Sequence, residues 1–337
     1  MSVFKTMDVK CEIVTPLMMH GSNPKRAELR APSIKGALRF WWRAIQEEDD
    51  LARLKIREGL IFGDTERKSP ILLNVQHTLI PLKNNKQVYD KYNSKPGIQY
   101  LFYPLNMNKQ GTLFESGSFS MTIRYRGDVK NIDIEKELIE TLNYLNFFGN
   151  IAGRGRRGAG SVKFKNEKLL SFTGNSKKEF AQFIKEHFPK RSGRNYSKFA
   201  KTVYVFDPKS NWVEALESIG KPFKEFRSRN RSNVLETPNF GFPIRHRNGS
   251  VFSAARLRND KCKDMLHRRS SPLIFKVYKS DNNLFFPMII WLDGELVPNG
   301  YEIVNSKKCE EHHHANEAIV ENFFDYLAQQ GLRYEKI

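Results

Sequence analysis

Residues 134–164, IEKELIETLNYLNFFGNIAGRGRRGAGSVKF, place an amphipathic helix, a glycine- and arginine-rich loop and a short strand one after another. Apolar side chains recurring at helical spacing predict the helix, and they are Ile134, Leu138, Ile139, Leu142 and Leu145. The strand is predicted at Ser161–Phe164. A helix followed by a strand in this way closes a β-α-β-β-α-β unit if the preceding chain supplies the other elements.

The chain upstream supplies the four elements that such a unit needs first. Residues 7–14, 71–76 and 119–125 are short and β-prone, and the last run alternates apolar and polar side chains. A helix is predicted at residues 34–47, with Ser33 as its N-cap. The order β-α-β-β-α-β is the split βαβ, ferredoxin-like plan, which RNA recognition motifs share.

The second half of the chain repeats this order in a degenerate form. Strands are predicted at residues 201–206, 274–279 and 285–291, and helices at residues 212–219 and 315–330. The predicted fold class is therefore α+β, with two tandem ferredoxin-like, RRM-like domains that carry insertions.

The predicted division of the chain follows from these two units. The first domain spans residues 1–165, a basic linker follows at 166–200, and the second domain spans 201–337. Residues 221–270 form an insertion in the second domain, with 13 Lys or Arg against four Asp or Glu. This balance predicts a basic module rather than core.

Charge and cysteine content limit the function classes. The 337 residues carry a formal net charge of +19 and a pI near 9.7, which indicates a polyanion-binding protein. Cys11, Cys262 and Cys309 have no short spacing, so neither a disulfide framework nor a zinc ribbon is expected. No apolar run approaches the roughly 20 residues that a membrane helix needs, and the start of the chain lacks a signal-peptide design. A cytoplasmic location without membrane contact is expected.

The loop at residues 149–160 is the sharpest candidate site, because five glycines and three arginines share its twelve positions. Glycines allow backbone N–H groups to approach a phosphate, and arginines add bidentate charged donors. The G-x-G-x-x-G spacing follows a helix and precedes a strand, which is the reverse of a dinucleotide fold, and no Walker lysine is present. The predicted RNA-binding residues here are Gly153, Arg154, Gly155, Arg156, Arg157, Gly158 and Gly160.

A second candidate site surrounds the first predicted helix. Cations spaced by four residues lie along one stripe near a helix start, where backbone N–H groups favour phosphate. Neighbouring residues on a helix point about 100° apart, so Trp41 and Trp42 are not expected to face inward together. One of them is therefore a candidate platform for base stacking. The predicted RNA-binding residues are Arg30, Lys35, Arg39, Trp41, Trp42 and Arg43. Packing of either indole in the core is the alternative.

The basic insertion is a third candidate surface. Arginine outnumbers lysine there, which suits phosphate clamping and stacking. Its arginines include Arg227, Arg229, Arg231, Arg245, Arg247, Arg256, Arg258, Arg268 and Arg269. A solvated face, an RNA contact and contact with an acidic neighbouring subunit all remain open.

Candidates for catalysis are few. His20 after the first strand is a conceivable general base for an RNA 2′-hydroxyl, but the sequence identifies no partner for it. Cys309 and the histidines at 312–314 do not complete a tetrahedral metal site. No cofactor, metal site or catalytic residue is predicted.

Two segments resemble a known family. TPLMMHGSNPKRAELRAPSIKGALRFWWRA at 15–44 and FFGNIAGRGRRGAGSV at 147–162 resemble the RAMP superfamily of CRISPR proteins, and within it the subunit-one family of type III-B Cmr complexes. The resemblance covers the first half of the chain, with looser matches in GFPIRHRNGS and RRSSPLIFKVY.

The resemblance implies a non-catalytic RNA-binding subunit of an antiviral ribonucleoprotein. Such a subunit contacts the 3′ region of the CRISPR RNA (crRNA), single-stranded target RNA, or both, and its protein partners are other Cmr RAMP subunits. The alternative within the superfamily is a metal-independent endoribonuclease that processes precursor CRISPR RNA. A third possibility is a structural wedge whose basic surface meets acidic subunits.

Overall fold

The structure is a computed structural model that describes residues 4–82, 84–103, 111–193, 195–230, 232, 236–245, 249–258, 261–306 and 308–337. The elements of its first part are β1 (Phe4–Ile13), α1 (Ala31–Ala44), α2 (Leu51–Phe62), β2 (Ile71–His77), α3 (Asn85–Lys91), α4 (Pro96–Leu101), β3 (Gly117–Arg126), β4 (Asp128–Val129), β5 (Ile132–Asp133), α5 (Ile134–Phe148) and β6 (Val162–Lys165).

The remaining part of the chain adds three helices and nine strands within the described residues. They are α6 (Lys177–His187), β7 (Lys198–Phe206), α7 (Trp212–Arg229), β8 (Ile244–Arg245), β9 (Val251–Arg258), β10 (Lys261–Leu266), β11 (Leu273–Lys279), β12 (Phe285–Asp293), β13 (Glu302–Asn305), β14 (Lys308–His313), α8 (Ala318–Gln329) and β15 (Tyr334–Lys336). A short 3-10 helix lies at Thr237–Phe240.

Two antiparallel four-stranded sheets share one topology. The first sheet has the strand order β2-β3-β1-β6, and the second has the order β11-β12-β7-β15. In each, the first and third strands of the unit lie in the centre, which is the ferredoxin-like arrangement. The predicted α+β fold class is therefore confirmed, and the sequence missed β15, which is only three residues long.

The two sheets differ in how much of them is buried. Buried and exposed side chains alternate along β1 and β3, so the first sheet keeps one face in water. Almost every residue of β7, β11 and β12 is buried, because helices cover both faces of the second sheet. The continuous apolar runs in the second half of the sequence follow from this double coverage.

One aromatic core joins the two halves of the protein. The α5 side chain of Phe147 stacks on Tyr278 of β11 at 4.5 Å, and Phe148 lies 4.4 Å from Phe199 of β7. Residues 166–200, predicted as a linker, contain α6, whose Phe180 side chain is fully buried. This stretch is therefore packed structure as well as connection. The domain boundaries themselves stay a prediction.

The start of α1 lies three residues before its predicted position. Arg30 is the N-cap, and Pro32 occupies the first turn, where its missing N–H costs nothing. Ser33 therefore lies inside the helix and does not cap it. The end of the helix shifts by the same three residues, to Ala44.

The basic insertion at 221–270 is only partly separate from the core. Its first nine residues continue α7, where Pro222, Phe223 and Phe226 are buried. The predicted end at Ile219 is wrong, because tertiary packing carries the helix through Gly220 and Pro222 to Arg229. The rest of the described insertion contributes β8, β9 and β10 to a third, five-stranded sheet. Four of its strands lie in the order β10-β9-β13-β14, and β8 pairs with β9.

Cys262 in β10 and Cys309 in β14 form a disulfide, with Cα atoms 5.8 Å apart. The expectation that no cysteines pair is thus wrong for these two. They are 47 residues apart in sequence and lie on the two outer strands of the third sheet, so no short spacing in the sequence signals the pair. Cys11 is free and buried in the first sheet. Among the described residues, none of the helices combines the length and apolarity needed to cross a bilayer.

Candidate nucleic-acid interface

The glycine-rich loop, residues 149–160, lies between the two sheets. Gly153 donates its N–H to the Met18 carbonyl at 2.9 Å, and Gly160 donates to Pro16 at 2.9 Å. On the other side, Phe275 of β11 donates to the Arg156 carbonyl at 3.3 Å. The loop therefore connects the segment after β1 with the second sheet.

Close packing explains the glycine at position 160. Its φ is +73°, and a Cβ there would lie 2.0 Å from the Ile151 carbonyl oxygen. The N–H groups of Gly153, Arg157 and Gly160 all donate to carbonyls within the protein. These three amides are therefore not available to a phosphate. Phosphate binding by the other residues predicted in the loop stays a prediction.

The arginine side chains of the loop line a cleft of about 1240 Å³, called here the arginine cleft, which is bordered by α1, the loop and residues 240–245 and 268–271. No Asp, Glu, His or Lys is among the described residues that line it. Seven arginines do, and they are Arg154, Arg156, Arg157, Arg227, Arg245, Arg268 and Arg269. An acid-free concentration of arginine is the electrostatic signature of a site for a polyanion.

Arg154 is committed to the protein. Its Nε and Nη2 donate to the Leu101 carbonyl at 3.1 and 2.7 Å. Burial lowers the pKa of its guanidinium, and the nearby Tyr100 acts in the opposite direction. The side chain therefore ties the loop to the end of α4.

Arg156 and Arg157 are only partly satisfied. The Arg156 guanidinium lies 4.7 Å over the Phe40 ring. The Arg157 guanidinium lies 4.9 Å over the Phe223 ring, and its Nη2 donates a hydrogen bond to the Phe240 carbonyl oxygen at 3.3 Å. The Nη1 atom of each is shielded from water and has no partner among the described atoms. Burial lowers the pKa of the Arg156 guanidinium to about 10 and that of Arg157 to about 9, and neighbouring arginines add to both effects.

The other four arginines of the cleft differ in whether the described part of the protein supplies them with hydrogen-bond acceptors. Arg227 donates to the Thr237 carbonyl at 2.9 Å, and Arg269 donates to the Glu295 carbonyl at 3.0 Å. Arg245 and Arg268 are exposed, and neither has an ion pair within the described part of the chain. These two are the cations of the cleft most accessible to a ligand.

The basic side chains of the first helix already have partners within the protein. Arg39 and Arg43 both donate to the Glu58 carboxylate, at 2.7 and 2.6 Å. Lys35 donates to Ser69 at 2.6 Å, and burial lowers its pKa. Arg30 is half-exposed and lies 3.6 Å from the Glu28 carboxylate. These contacts favour a structural role, and RNA binding by the four cations stays a prediction.

Both tryptophans face the core, which corrects the expectation that one of them must point outward. Trp41 is 2% exposed and lies against Phe148 and Phe199, and Trp42 is 0% exposed and packs edge-on against Phe62. The angular argument failed because α1 is covered on two sides, by the sheet with α5 and by α2. An indole without an exposed face cannot stack on a base in this conformation.

His20 lies apart from the cleft lining. Its Nε2 is 3.0 Å from the Thr112 carbonyl oxygen, so that nitrogen carries the proton and donates it. Within the described ranges, no three His, Cys, Asp or Glu side chains gather closely enough to hold a metal ion. In the described structure, the hydrogen-bond partner of the His20 ring is the Thr112 carbonyl.

Sequence reasoning missed two features. Lys276 of β11 is buried, donates Nζ to the Gly149 carbonyl at 2.6 Å, and has its pKa lowered by burial to about 7. A single lysine within the apolar run LIFKVY was the available signal. Tyr103, in the YLFYPL segment, lines the cleft with its ring half-exposed.

Comparison with known proteins gives consistent relatives. A sequence profile of the RAMP superfamily matches residues 10–163. CRISPR system Cmr subunit Cmr1-1 of Pyrococcus furiosus is 30% identical over 281 residues, covering 74% of this chain and 76% of the relative. Cmr subunit Cmr1-2 of the same organism is 26% identical over 174 residues, covering 45% of this chain and 91% of the relative.

Solved structures share the fold. The crystal structure of apo Cmr1 from Pyrococcus furiosus has a TM-score of 0.66 at 23% identity and covers 98% of both chains. A chain of the cryo-EM structure of the type III-B Cmr-beta complex bound to cognate target RNA has a TM-score of 0.56 at 13% identity, covering 96% of this chain and 99% of that one.

Proposed function

The chain belongs to the Cmr1 family of the RAMP superfamily, and from this premise we propose that it is an RNA-binding, non-catalytic subunit of a type III-B CRISPR effector complex. It holds single-stranded RNA, from the crRNA 3′ region, the target or both, in the arginine cleft. Its protein partners are the other Cmr RAMP subunits, and its location is the cytoplasm, where guide and target RNA meet.

One observation carries this proposal: two guanidinium nitrogens, Arg156 Nη1 and Arg157 Nη1, are buried in the wall of a cleft whose described lining holds no acid, and neither has a partner in the described structure. A buried, unpaired charged donor is costly. Because no carboxylate is among the described residues of the lining, we infer that the compensating anion comes from a ligand. RNA phosphates supply such anions at regular spacing, and arginine binds them with paired donors.

The non-catalytic part of the proposal is supported by the chemistry of the cleft. Cleavage of RNA without a metal needs a general base and acid near the phosphate. The described lining offers arginine, aromatic and small polar side chains, with no His, Lys, Asp or Glu. Such a surface binds phosphates and leaves the chain intact.

The test removes charge from the accessible rim. We expect the double variant Arg245→Ala, Arg268→Ala to bind labelled single-stranded RNA more weakly and with a shallower salt dependence than the parent protein. For single strands, each lost phosphate contact reduces the slope of log K against log salt by about 0.7, so two contacts reduce it by about 1.4. The measurement is fluorescence anisotropy across a salt series, with the RNA examined on a gel afterwards.

A charge-matched control is available on α2. Arg53 and Lys55 are exposed and do not line the cleft, so their double replacement by Ala removes the same charge from another surface. We expect the control to keep the parent slope. An unchanged slope in the cleft variant would exclude the cleft as the RNA site, and cleaved RNA would exclude the non-catalytic assignment.

A further inference from the structure

We propose that Tyr103 is a stacking platform for one unpaired base, so that the arginine cleft selects single-stranded over double-stranded RNA; this inference rests on the proposed function. Tyr103 lines the cleft and is 52% exposed. The other rings of the lining are more occupied: Phe40 and Tyr100 are half-buried, and the Arg156 guanidinium lies 4.7 Å over the Phe40 ring. Phe240 and Phe242 are 2% and 3% exposed, and Tyr100 packs edge-on against Phe223 at 5.8 Å.

The backbone that carries Tyr103 is anchored to the glycine-rich loop. The Leu101 carbonyl, two residues earlier, accepts both hydrogen bonds from Arg154. Phe102 is buried at 1% exposure, and the Tyr103 N–H donates to the Tyr100 carbonyl at 3.4 Å. The ring therefore projects from a position that the loop itself holds.

The helix before Tyr103 is also fixed. The Glu217 carboxylate of α7 accepts hydrogen bonds from the N–H groups of Gly97 and Ile98, at 3.1 and 2.9 Å. The Gly97 backbone packs so closely on Gly220 and Lys221 that a Cβ at Gly97 would lie 2.2 Å from the Lys221 nitrogen. A site built on such a support holds its geometry without a ligand.

The cleft thus separates two kinds of contact. Its arginines contact phosphates, which every nucleic acid has, while the exposed ring offers an apolar face that only an unstacked base can cover. In a duplex, the base faces are already stacked on each other. A base on an aromatic side chain raises affinity by roughly 5- to 150-fold, which corresponds to ~1–3 kcal/mol.

The experiment compares two variants of Tyr103 on three ligands. The ligands are a single-stranded RNA, an abasic oligomer of the same length and charge, and a duplex of the same sequence. We expect Tyr103→Ala to lose roughly 5- to 150-fold in affinity for the single strand and nothing for the abasic oligomer or the duplex. Tyr103→Phe keeps the ring and is expected to bind all three ligands as the parent protein does.

Phe4 provides a matched control. It is 37% exposed, lies 5.5 Å from the Arg124 guanidinium and 5.6 Å from that of Arg126, and does not line the cleft. We expect Phe4→Ala to bind RNA like the parent protein. Because Tyr103 is half-exposed, its variants are expected to keep the thermal midpoint of the parent protein, and measuring that midpoint verifies folding.

The outcomes separate this inference from the function on which it rests. If Tyr103→Ala binds RNA as tightly as the parent protein, the stacking role is overturned and the exposed ring would serve a protein contact instead. The cleft would still be the RNA site. An equal loss for the abasic oligomer, or an equal loss in Phe4→Ala, also overturns it. If the parent protein binds the abasic oligomer and the duplex as tightly as the single strand, base selection is absent.

Discussion

Replacing Arg156 with methionine should stabilise the free protein and weaken its hold on RNA. The guanidinium lies 4.7 Å from the centre of the Phe40 ring, and its Nη1 is buried without a partner. Arg269 brings a second positive charge close enough to lower the Arg156 pKa further. Methionine keeps an unbranched apolar stem of similar length and removes the charge.

The magnitude follows from the pKa of Arg156. Burial lowers it from 12.5 to about 10, which corresponds to roughly 3 kcal/mol against the charged form at about 1.4 kcal/mol per unit. Part of the side chain reaches water, so screening reduces this to roughly 2 kcal/mol. The lost contact with the Phe40 ring offsets about 1 kcal/mol. The expected net gain is about 1 kcal/mol.

The assay is thermal unfolding with and without single-stranded RNA. A gain of about 1 kcal/mol raises the midpoint of the free protein by about 2 °C for a chain of this size. Saturating RNA should raise the midpoint of the parent protein more than that of Arg156→Met, because the variant gives up a phosphate contact. Arg53→Met, on the exposed face of α2, is the control and should leave both quantities unchanged.

Two results would refute this reasoning. A midpoint lowered by several degrees would mean that the guanidinium stabilises the apo structure through contacts beyond those described. RNA affinity equal to that of the parent would mean that the unpartnered nitrogen is not a phosphate donor. A stabilised variant with weakened binding is the one combination expected of a charge retained for its ligand.

Two further predictions concern the glycine-rich loop and Lys276, the buried lysine of β11 that contacts it. Gly160→Ala should lower the free energy of unfolding by about 2–4 kcal/mol, because its Cβ would overlap the Ile151 carbonyl at a φ of +73°. Gly36→Ala, whose Cβ meets nothing within 4 Å in α1, should instead add about 1 kcal/mol, as urea denaturation of both variants checks. Burial lowers the pKa of Lys276 in the folded protein to about 7, while its unfolded value is near 10.5. Between these pH values the unfolded chain binds one more proton than the folded protein, so the free energy of unfolding rises with pH from about 7 to 10.5. Urea midpoints at pH 7, 8 and 9 should rise more in the parent protein than in Lys276→Met, and equal slopes would contradict the prediction.

Most of the predicted elements lie where the sequence indicated them. The predicted helix at 34–47 is α1 at Ala31–Ala44, and the predicted strand at 119–125 lies within β3. Their signals are local, because an amphipathic period and a strand alternation depend on residues a few positions apart. The helix at 212–219 was cut short, since Gly220 and Pro222 carry a local end signal that long-range packing overrides.

The sequence treated the loop and the basic insertion as separate candidate surfaces. The structure places the three loop arginines in one cleft with Arg227, Arg245, Arg268 and Arg269 of the insertion. The Trp42 ring belongs to the core instead, and Trp41 borders the cleft but is only 2% exposed, whereas the Tyr103 ring lines the cleft and is 52% exposed. Burial of an aromatic ring depends on which distant elements cover its helix, and no pattern in the neighbouring sequence reports that.

The sequence by itself determined the order of the elements, the fold class and the excess of positive charge, since periodicity, turn residues and charge are properties of short segments. Only the tertiary structure decided which cations are available. Arg154 is bound by a carbonyl 53 residues away, whereas the Nη1 atoms of Arg156 and Arg157 meet no acceptor in the described structure. The availability of a buried donor depends on long-range contacts and on the exclusion of water, and both arise only when the two sheets pack together.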